Sequence, residues 1–262
     1  MSEPIALSGW VLAAAALAAA ATTRQILVSR TKAVARACHE LRGPLTAARL
    51  GLELESRTGQ LAEARVRAIE LELRRAALAL EDLWDAPGSL DALFVRPRSR
   101  AGVSQEVDVA ELLADSVEAW RAAAAAAGID LRLAVSGGPA VVVGDRLRLA
   151  QATGNLIANA IEHGGGMVEV TVRAEQGRVR VEVVDGGPGL HSPLGELVSG
   201  RSRRRAPWRV ASRSRGHGLA IASGVAMAHG GRLAAGPSER GARLVLDLPA
   251  DAGTSLRAPA RR

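Results

Sequence analysis

Two apolar stripes with heptad spacing restrict most strongly what this chain can fold into. Val34, Cys38, Leu41, Leu45, Ala48 and Leu52 follow one another at intervals of 4, 3, 4, 3 and 4 residues. After a polar break at Ser56-Arg-Thr-Gly-Gln60, Val66, Ile69, Leu73, Ala76, Leu80 and Leu83 recur at 3, 4, 3, 4 and 3. A period near 3.5 keeps one face of a helix apolar along its length, so the pair reads as an antiparallel helical hairpin. One hairpin cannot cover both stripes. Two hairpins from two chains close a four-helix bundle, which predicts a homodimer. Cys38 lies on the first stripe and is expected to be a small core residue. As the only cysteine it excludes a disulfide framework or a multi-Cys metal site within one chain.

Residues 5–23 carry no charge and approach the length of a membrane-crossing helix. No basic residue precedes them, so a cleaved signal peptide fits poorly. Arg24, Arg30, Lys32 and Arg36 follow, which predicts a single-pass cell-membrane anchor with the C-terminal domains in the cytoplasm. With only a few residues before it, no domain is expected on the far side. The expected division is an anchor and juxtamembrane segment over 1–29, the helical hairpin over 30–88, a linker over 89–105, a second domain over 106–250 and a disordered tail over 251–262. Pro, Gly and Ser mark the linker from Ala86 onward. In the second domain, helices are expected over 108–127, over 145–163 and from about Leu219. Strands are expected over 129–135, 140–143, 167–173, 178–184, 231–235 and 242–248. Valines alternate with polar residues on both sides of Glu175-Gln-Gly177, the pattern of a β-hairpin. Helices and antiparallel strands in one domain give an α+β, two-layer class.

The net charge of +7 comes almost wholly from arginine, Lys32 being the only lysine, and alanine is abundant. That pairing matches the codon bias of a GC-rich genome. One Phe, no Tyr and four Trp leave few rings for stacking bases, so no nucleic-acid partner is expected.

Four clusters carry chemistry. In Cys38-His39-Glu40-Leu41-Arg42-Gly43-Pro44, His39 follows a stripe residue and so flanks the bundle. A neutral imidazole is a competent nucleophile near pH 7. Glu40 can hold the ring or take its proton, and Pro44 removes the N–H that would bond the Glu40 carbonyl. Gln151, Asn155, Asn159 and His163 fall four apart and form one polar stripe on a helix. Neutral amide oxygens aimed one way suit a hydrated Mg²⁺ that carries nucleotide phosphates. Asp185-Gly-Gly187-Pro-Gly189 follows a strand, where a carboxylate can accept from an exocyclic amine such as that of adenine and glycines let backbone approach a ligand. Gly216-His-Gly218 opens a helix at about Leu219, and free N–H groups at a helix start attract phosphate.

The order of these clusters resembles the histidine kinase family over roughly residues 30–250. The resemblance implies a dimerisation and phosphoacceptor hairpin followed by a catalytic domain with the Bergerat ATP-binding fold. It places His39 as the phosphoacceptor and Glu40 as the assisting acid. Asn155 and Asn159 fall on the asparagine box, with Asn159 the Mg²⁺ contact. Asp185 falls on the adenine-binding aspartate, with Gly187 and Gly189 in its turn. Gly216 and Gly218 fall on the glycines of the ATP lid, and His163 and Leu219 join the nucleotide-binding set. The implied reaction moves the γ-phosphoryl group of Mg·ATP to His39 and then to an aspartate of a response regulator.

Three features depart from the family pattern. Gly43 stands where many members carry Thr or Asn to orient water, which predicts weak or absent phosphatase activity. Glu162 stands where a basic residue often contacts phosphate. No Phe-containing box is recognisable between 190 and 200. The lid is instead rich in arginine, at 201, 203, 204, 205, 209, 213 and 215, with no acid between Glu196 and Glu239. These departures motivate two alternatives: a pseudokinase scaffold, and a membrane-tethered basic protein that binds nucleic acid or lipid through the lid.

Overall fold

The computed structural model describes residues 3–58, 63–84, 104–199 and 217–251. Helix α1 (Glu3–Thr58) runs without interruption through Pro44, and α2 (Glu63–Trp84) returns along it. Gly51 faces Ile69, its missing Cβ lying 3.5 Å from the Ile69 side chain, which fixes the antiparallel register.

Small residues make the close contacts of this hairpin. Ala37, Ala47 and Ala48 on α1 and Ala68, Leu71, Ala76 and Ala79 on α2 are buried. Most of the heptad stripes is not. Val34, Leu45 and Leu52 on α1 and Val66, Leu73 and Leu80 on α2 are exposed, and so is Cys38. Cys38 is therefore not a core residue of the single chain. The apolar stripes face outward, and the buried side of the hairpin packs on the second domain instead. Leu83 lies among side chains outside the described residues.

The expected membrane span lies entirely within α1. Its first part, through Leu12, has side chains outside the described residues. Among the described residues no helix is long and apolar enough to cross a membrane. From Ala13 the described stretch holds eight alanines around Leu17 before Thr22, Thr23 and Arg24. Every described side chain from Ala13 to Val28 is exposed.

The second domain is a sheet covered on one face by helices. Strands β2 (Asp130–Gly137), β4 (Met167–Glu175), β5 (Arg178–Asp185), β7 (Arg243–Pro249) and β6 (Arg232–Ala235) lie side by side in that order. β2 runs parallel to β4, and the other pairs are antiparallel. β1 (Gln105–Asp108) and β3 (Val141–Gly144) form a separate antiparallel pair. The β4–β5 turn at Gln176-Gly177 takes positive φ at both positions, which closes a tight hairpin. Alternation along the strands separates the faces. Val168, Val170 and Val172 on β4 and Val179, Val181 and Val183 on β5 are fully buried, while Glu169, Arg173 and Arg180 between them face solvent.

Helices α3 (Val109–Ala126), α4 (Arg146–His163) and α6 (His217–Ala228) cover the apolar face. Leu112, Leu113 and Val117, Leu149, Leu156 and Ile157, and Leu219, Ala222 and Ala226 enter one core with the valines. Aspartates cap two of these helices: Asp108 accepts from the N–H groups of Ala110 and Glu111, and Asp145 from those of Leu147 and Arg148. Helix α5 (Leu194–Ser199) and strand β1 stand where no element was expected. Both are short, and β1 keeps only Val107 buried, so neither has a period long enough to read.

Candidate nucleotide and phosphoacceptor site

The C-terminal half of α4 and the loops after β5 and before β7 enclose a cavity of about 380 Å³. Asp185, at the end of β5, is buried in its wall. Its Oδ1 accepts from the Gly187 N–H at 2.9 Å and the Ala242 N–H at 3.1 Å. No described residue donates to Oδ2, so one oxygen orients the carboxylate and the other can accept from a ligand. The turn that follows requires glycine twice. A side chain at Gly187 would strike the His163 carbonyl, and Gly189 holds φ at +84°.

A second cavity of about 290 Å³ opens between the hairpin and this domain. Glu40, Arg42 and Gly43 of α1 line it from one side, and Asn155, Asn159 and Gly218 from the other. Asn159, Glu162, His163 and Leu219 line both cavities. The polar stripe predicted on α4 therefore runs from the hairpin to the nucleotide-sized pocket. Gln151 is buried under the hairpin, Asn155 and Asn159 are half-buried, and His163 emerges at the exposed end. The start of the stripe reaches across: Gln151 Nε2 donates to Glu40 Oε2 at 2.9 Å.

His39 lies on α1 one residue before Glu40, and its side chain is outside the described residues. Gly216 and the arginines of the lid also lie outside the described residues. Gly218 is in the first turn of α6, with Asn155 Cβ 3.4 Å from the place of its missing side chain. α6 is pinned to α4 by His229, whose Nε2 accepts from the Asp145 N–H at 3.1 Å while Nδ1 meets the Val225 carbonyl at 2.8 Å.

Residues without a sequence signal complete the seam. The Trp120 ring of α3 lies over Gly43, and the Arg75 guanidinium of α2 occupies the space beside Gly154 where a side chain would stand. Arg75 is buried with Glu72, its Nη1 donating to both carboxylate oxygens at 2.6 Å. Further along, Arg65 Nη2 donates to Glu118 Oε1 at 2.6 Å, and Arg67 lies 3.7 Å from Asp115. Burial opposes ionisation of Glu118, but its bonds to Arg121 and Arg65 prevail and hold its carboxyl below the usual range. Among the described residues, three buried donors at the seam have no acceptor: Arg75 Nε, Trp120 Nε1 and Asn155 Nδ2.

These residues fit a nucleotide and its cation. Among the described residues Asn155 Nδ2 has no acceptor and borders the cavity under the hairpin, and Asp185 keeps an open carboxylate oxygen in the other cavity. Among the described residues no group of three or more His, Cys, Asp or Glu side chains could hold a metal alone. A Mg²⁺ ion held by one amide oxygen, water and substrate phosphates needs no such group.

The sequence model for the histidine kinase-, DNA gyrase B-, and HSP90-like ATPase family matches residues 144–252. The probable sensor histidine kinase TcrY of Mycobacterium tuberculosis is 35% identical over 254 residues, 94% of this chain and 51% of that protein. The sensor-type histidine kinase PrrB of the same organism is 33% identical over 233 residues, covering 87% and 49%. The solved ATP binding domain of PrrB is 30% identical, covering 57% of this chain and 99% of that one, with a TM-score of 0.45. The chain spans about half the length of the curated relatives it matches. By these likenesses the chain belongs to the sensor histidine kinase family, and residues 144–252 match the ATPase domain of that family.

Proposed function

We propose that this protein transfers the γ-phosphoryl group of Mg·ATP to a ring nitrogen of His39 and then to an aspartate of a response regulator. The observation that carries the reading is the continuity of the α4 polar face, which touches Glu40 at one end and borders the Asp185 pocket at the other. Asp185 Oδ2 accepts the exocyclic amine of adenine, and the glycines at 187 and 189 let the ring lie close to backbone. Asn155, His163, Gly218 and Leu219, with Gly216 in the lid, surround the phosphates. Mg²⁺, when bound through Asn159, neutralises phosphate charge and orients the γ-phosphoryl group. The imidazole of His39 donates its lone pair to the γ-phosphorus as the bond to the ADP oxygen breaks. The ring proton on the other nitrogen passes to Glu40. Positioning and charge neutralisation supply most of the acceleration in such a transfer.

The proposed division is an anchor over 1–29, a phosphoacceptor hairpin over 30–88, a linker over 89–105, a catalytic domain over 106–250 and a tail beyond. The outward row of Val34, Leu45 and Leu52 with Val66, Leu73 and Leu80 supports a homodimer, since water-facing apolar rows at heptad spacing are satisfied by a second copy. The exposed, uncharged run from Ala13 to Thr23 and the basic residues after it support membrane contact by residues 5–23, with the catalytic domain on the cytoplasmic side.

Incubation with γ-labelled ATP tests the reading. Acid-labile, base-stable label on the parent chain and none on His39→Gln is expected. Equal label on both proteins would remove His39 from the mechanism.

A further inference from the structure

In a dimer, a bound nucleotide can meet the histidine of its own chain or that of the partner. The face each hairpin offers to its own catalytic domain decides which. Gln151 donates to Glu40 within one chain at 2.9 Å. Trp120 lies on Gly43 of the same chain, and Arg75 fits against Gly154. The Arg65–Glu118 ion pair extends this contact along α2 and α3. The cavity between the two parts starts at Glu40 and reaches Asn159 and His163, which also border the Asp185 pocket. One chain thus builds the whole passage from the nucleotide pocket to the helical turn of His39. The outward apolar row that a second copy would cover lies on other positions of α1 and α2, so dimerisation leaves this contact in place.

We infer that phosphoryl transfer runs within one chain, and that Gln151 is a positioning residue that seats the Glu40 carboxylate beside His39. The inference rests on the assignment of His39 and Asp185 proposed above. The β,γ-bridging P–O bond breaks and the P–N bond forms inside a single protomer, with ADP leaving and the ring proton moving to the Glu40 carboxylate that Gln151 steadies.

A mixed dimer tests it. Full-length His39→Gln and Asp185→Asn chains, each with its own affinity tag, are co-expressed, and the species carrying both tags is isolated and given γ-labelled ATP. Transfer within one chain predicts no label on either chain, because one lacks the acceptor and the other the nucleotide. A wild-type and His39→Gln mixed dimer prepared alongside is expected to carry label on its wild-type chain. Label on the Asp185→Asn chain of the first mixture would overturn the inference and leave the proposed function intact. Absence of label from wild-type protein would instead overturn the function, and the inference with it. Should no species with both tags form, label on a chain that stays single in solution would support transfer within one chain. A second measurement addresses Gln151. Gln151→Leu keeps the bulk and removes the donor, so kcat is expected to fall about tenfold with the KM for ATP unchanged, and Gln151→Asn is expected to recover part of it. An unchanged kcat, or a parallel change in KM, would remove Gln151 from this role.

Discussion

The Trp120 ring of α3 lies over Gly43 of α1, its Cη2 atom 3.0 Å from the place where a β-carbon would be attached. A residue with a side chain at this position has to move the indole, which is buried at 4% exposure. The absence of a side chain next to His39 and the seating of the catalytic domain are therefore one structural fact.

Gly43→Thr is expected to push Trp120 from its seat at a cost of about 1–3 kcal/mol, the usual range for overpacking. Denaturant unfolding measures the loss. The double variant with Trp120→Ala is expected to lose less than the sum of the two single changes, because the cavity left by the indole accepts the threonine. Strict additivity would show that the two positions do not press on each other.

Asp185→Asn separates folding from nucleotide binding. The amide oxygen can still accept from the Gly187 and Ala242 N–H groups, so the turn is expected to hold. The other atom becomes a donor that faces a donor on adenine. Nucleotide affinity is expected to fall about 100-fold, in line with losing a hydrogen bond to a charged group in a closed site. Equilibrium binding of a fluorescent ATP analogue checks this, with the melting temperature as control.

Glu72→Gln is expected to be among the most damaging single changes outside the nucleotide pocket. Both carboxylate oxygens hold Arg75, and Glu72 is fully buried. Removing the charge leaves a buried guanidinium uncompensated, which costs about 3–5 kcal/mol. Leu at both positions is expected to be far better tolerated than either single change. Chemical denaturation of the three proteins tests the order.

Asp247 gives the sheet an acid-sensitive tie. Its hydrogen bond to Arg178 on β5 is the main cause that holds its carboxyl below the ordinary range. Burial opposes the shift, and the charges of Arg178, Arg180 and Arg232 add to it. A depressed folded-state pKa stabilises the fold fully above the unfolded value of about 3.9, and the contribution disappears as pH falls through the folded value. Asp247→Asn is expected to lose stability at neutral pH and to flatten the acid limb of the pH–stability curve. An unchanged acid limb would show that other carboxylates govern it.

The catalytic domain was legible because its signals are local. Alternating valines on β4 and β5, the apolar face of α4 and the aspartate caps each depend on neighbours a few residues away. Asp185 and Asn159 line one cavity, and Asn159 and Asn155 line the next, as the order of their clusters implied. The seam between the hairpin and this domain was not. No local pattern in the sequence marks Trp120 or Arg75. Their importance comes from Gly43 and Gly154, which lie far from them in sequence and leave room for a ring and a guanidinium. The heptad stripes were read correctly as apolar faces. Their spacing carries no information on which face the chain keeps for itself, and the chain keeps the alanines. The start of α1 reads as a membrane helix from its lack of charge, and its side chains through Leu12 lie outside the described residues.

The three sealed N–H groups at the seam have a consequence for motion. Among the described residues Arg75 Nε, Trp120 Nε1 and Asn155 Nδ2 meet no protein acceptor, which costs roughly 1–3 kcal/mol for each that stays dry. Ion pairs such as Arg65–Glu118 and the fit of Trp120 on Gly43 oppose that penalty. The docked arrangement is consequently shallow, and parting the two domains rehydrates all three donors at once. Under the function proposed above, His39 would need a cover that lifts without unfolding anything, and donors without protein acceptors beneath that cover would keep it easy to raise.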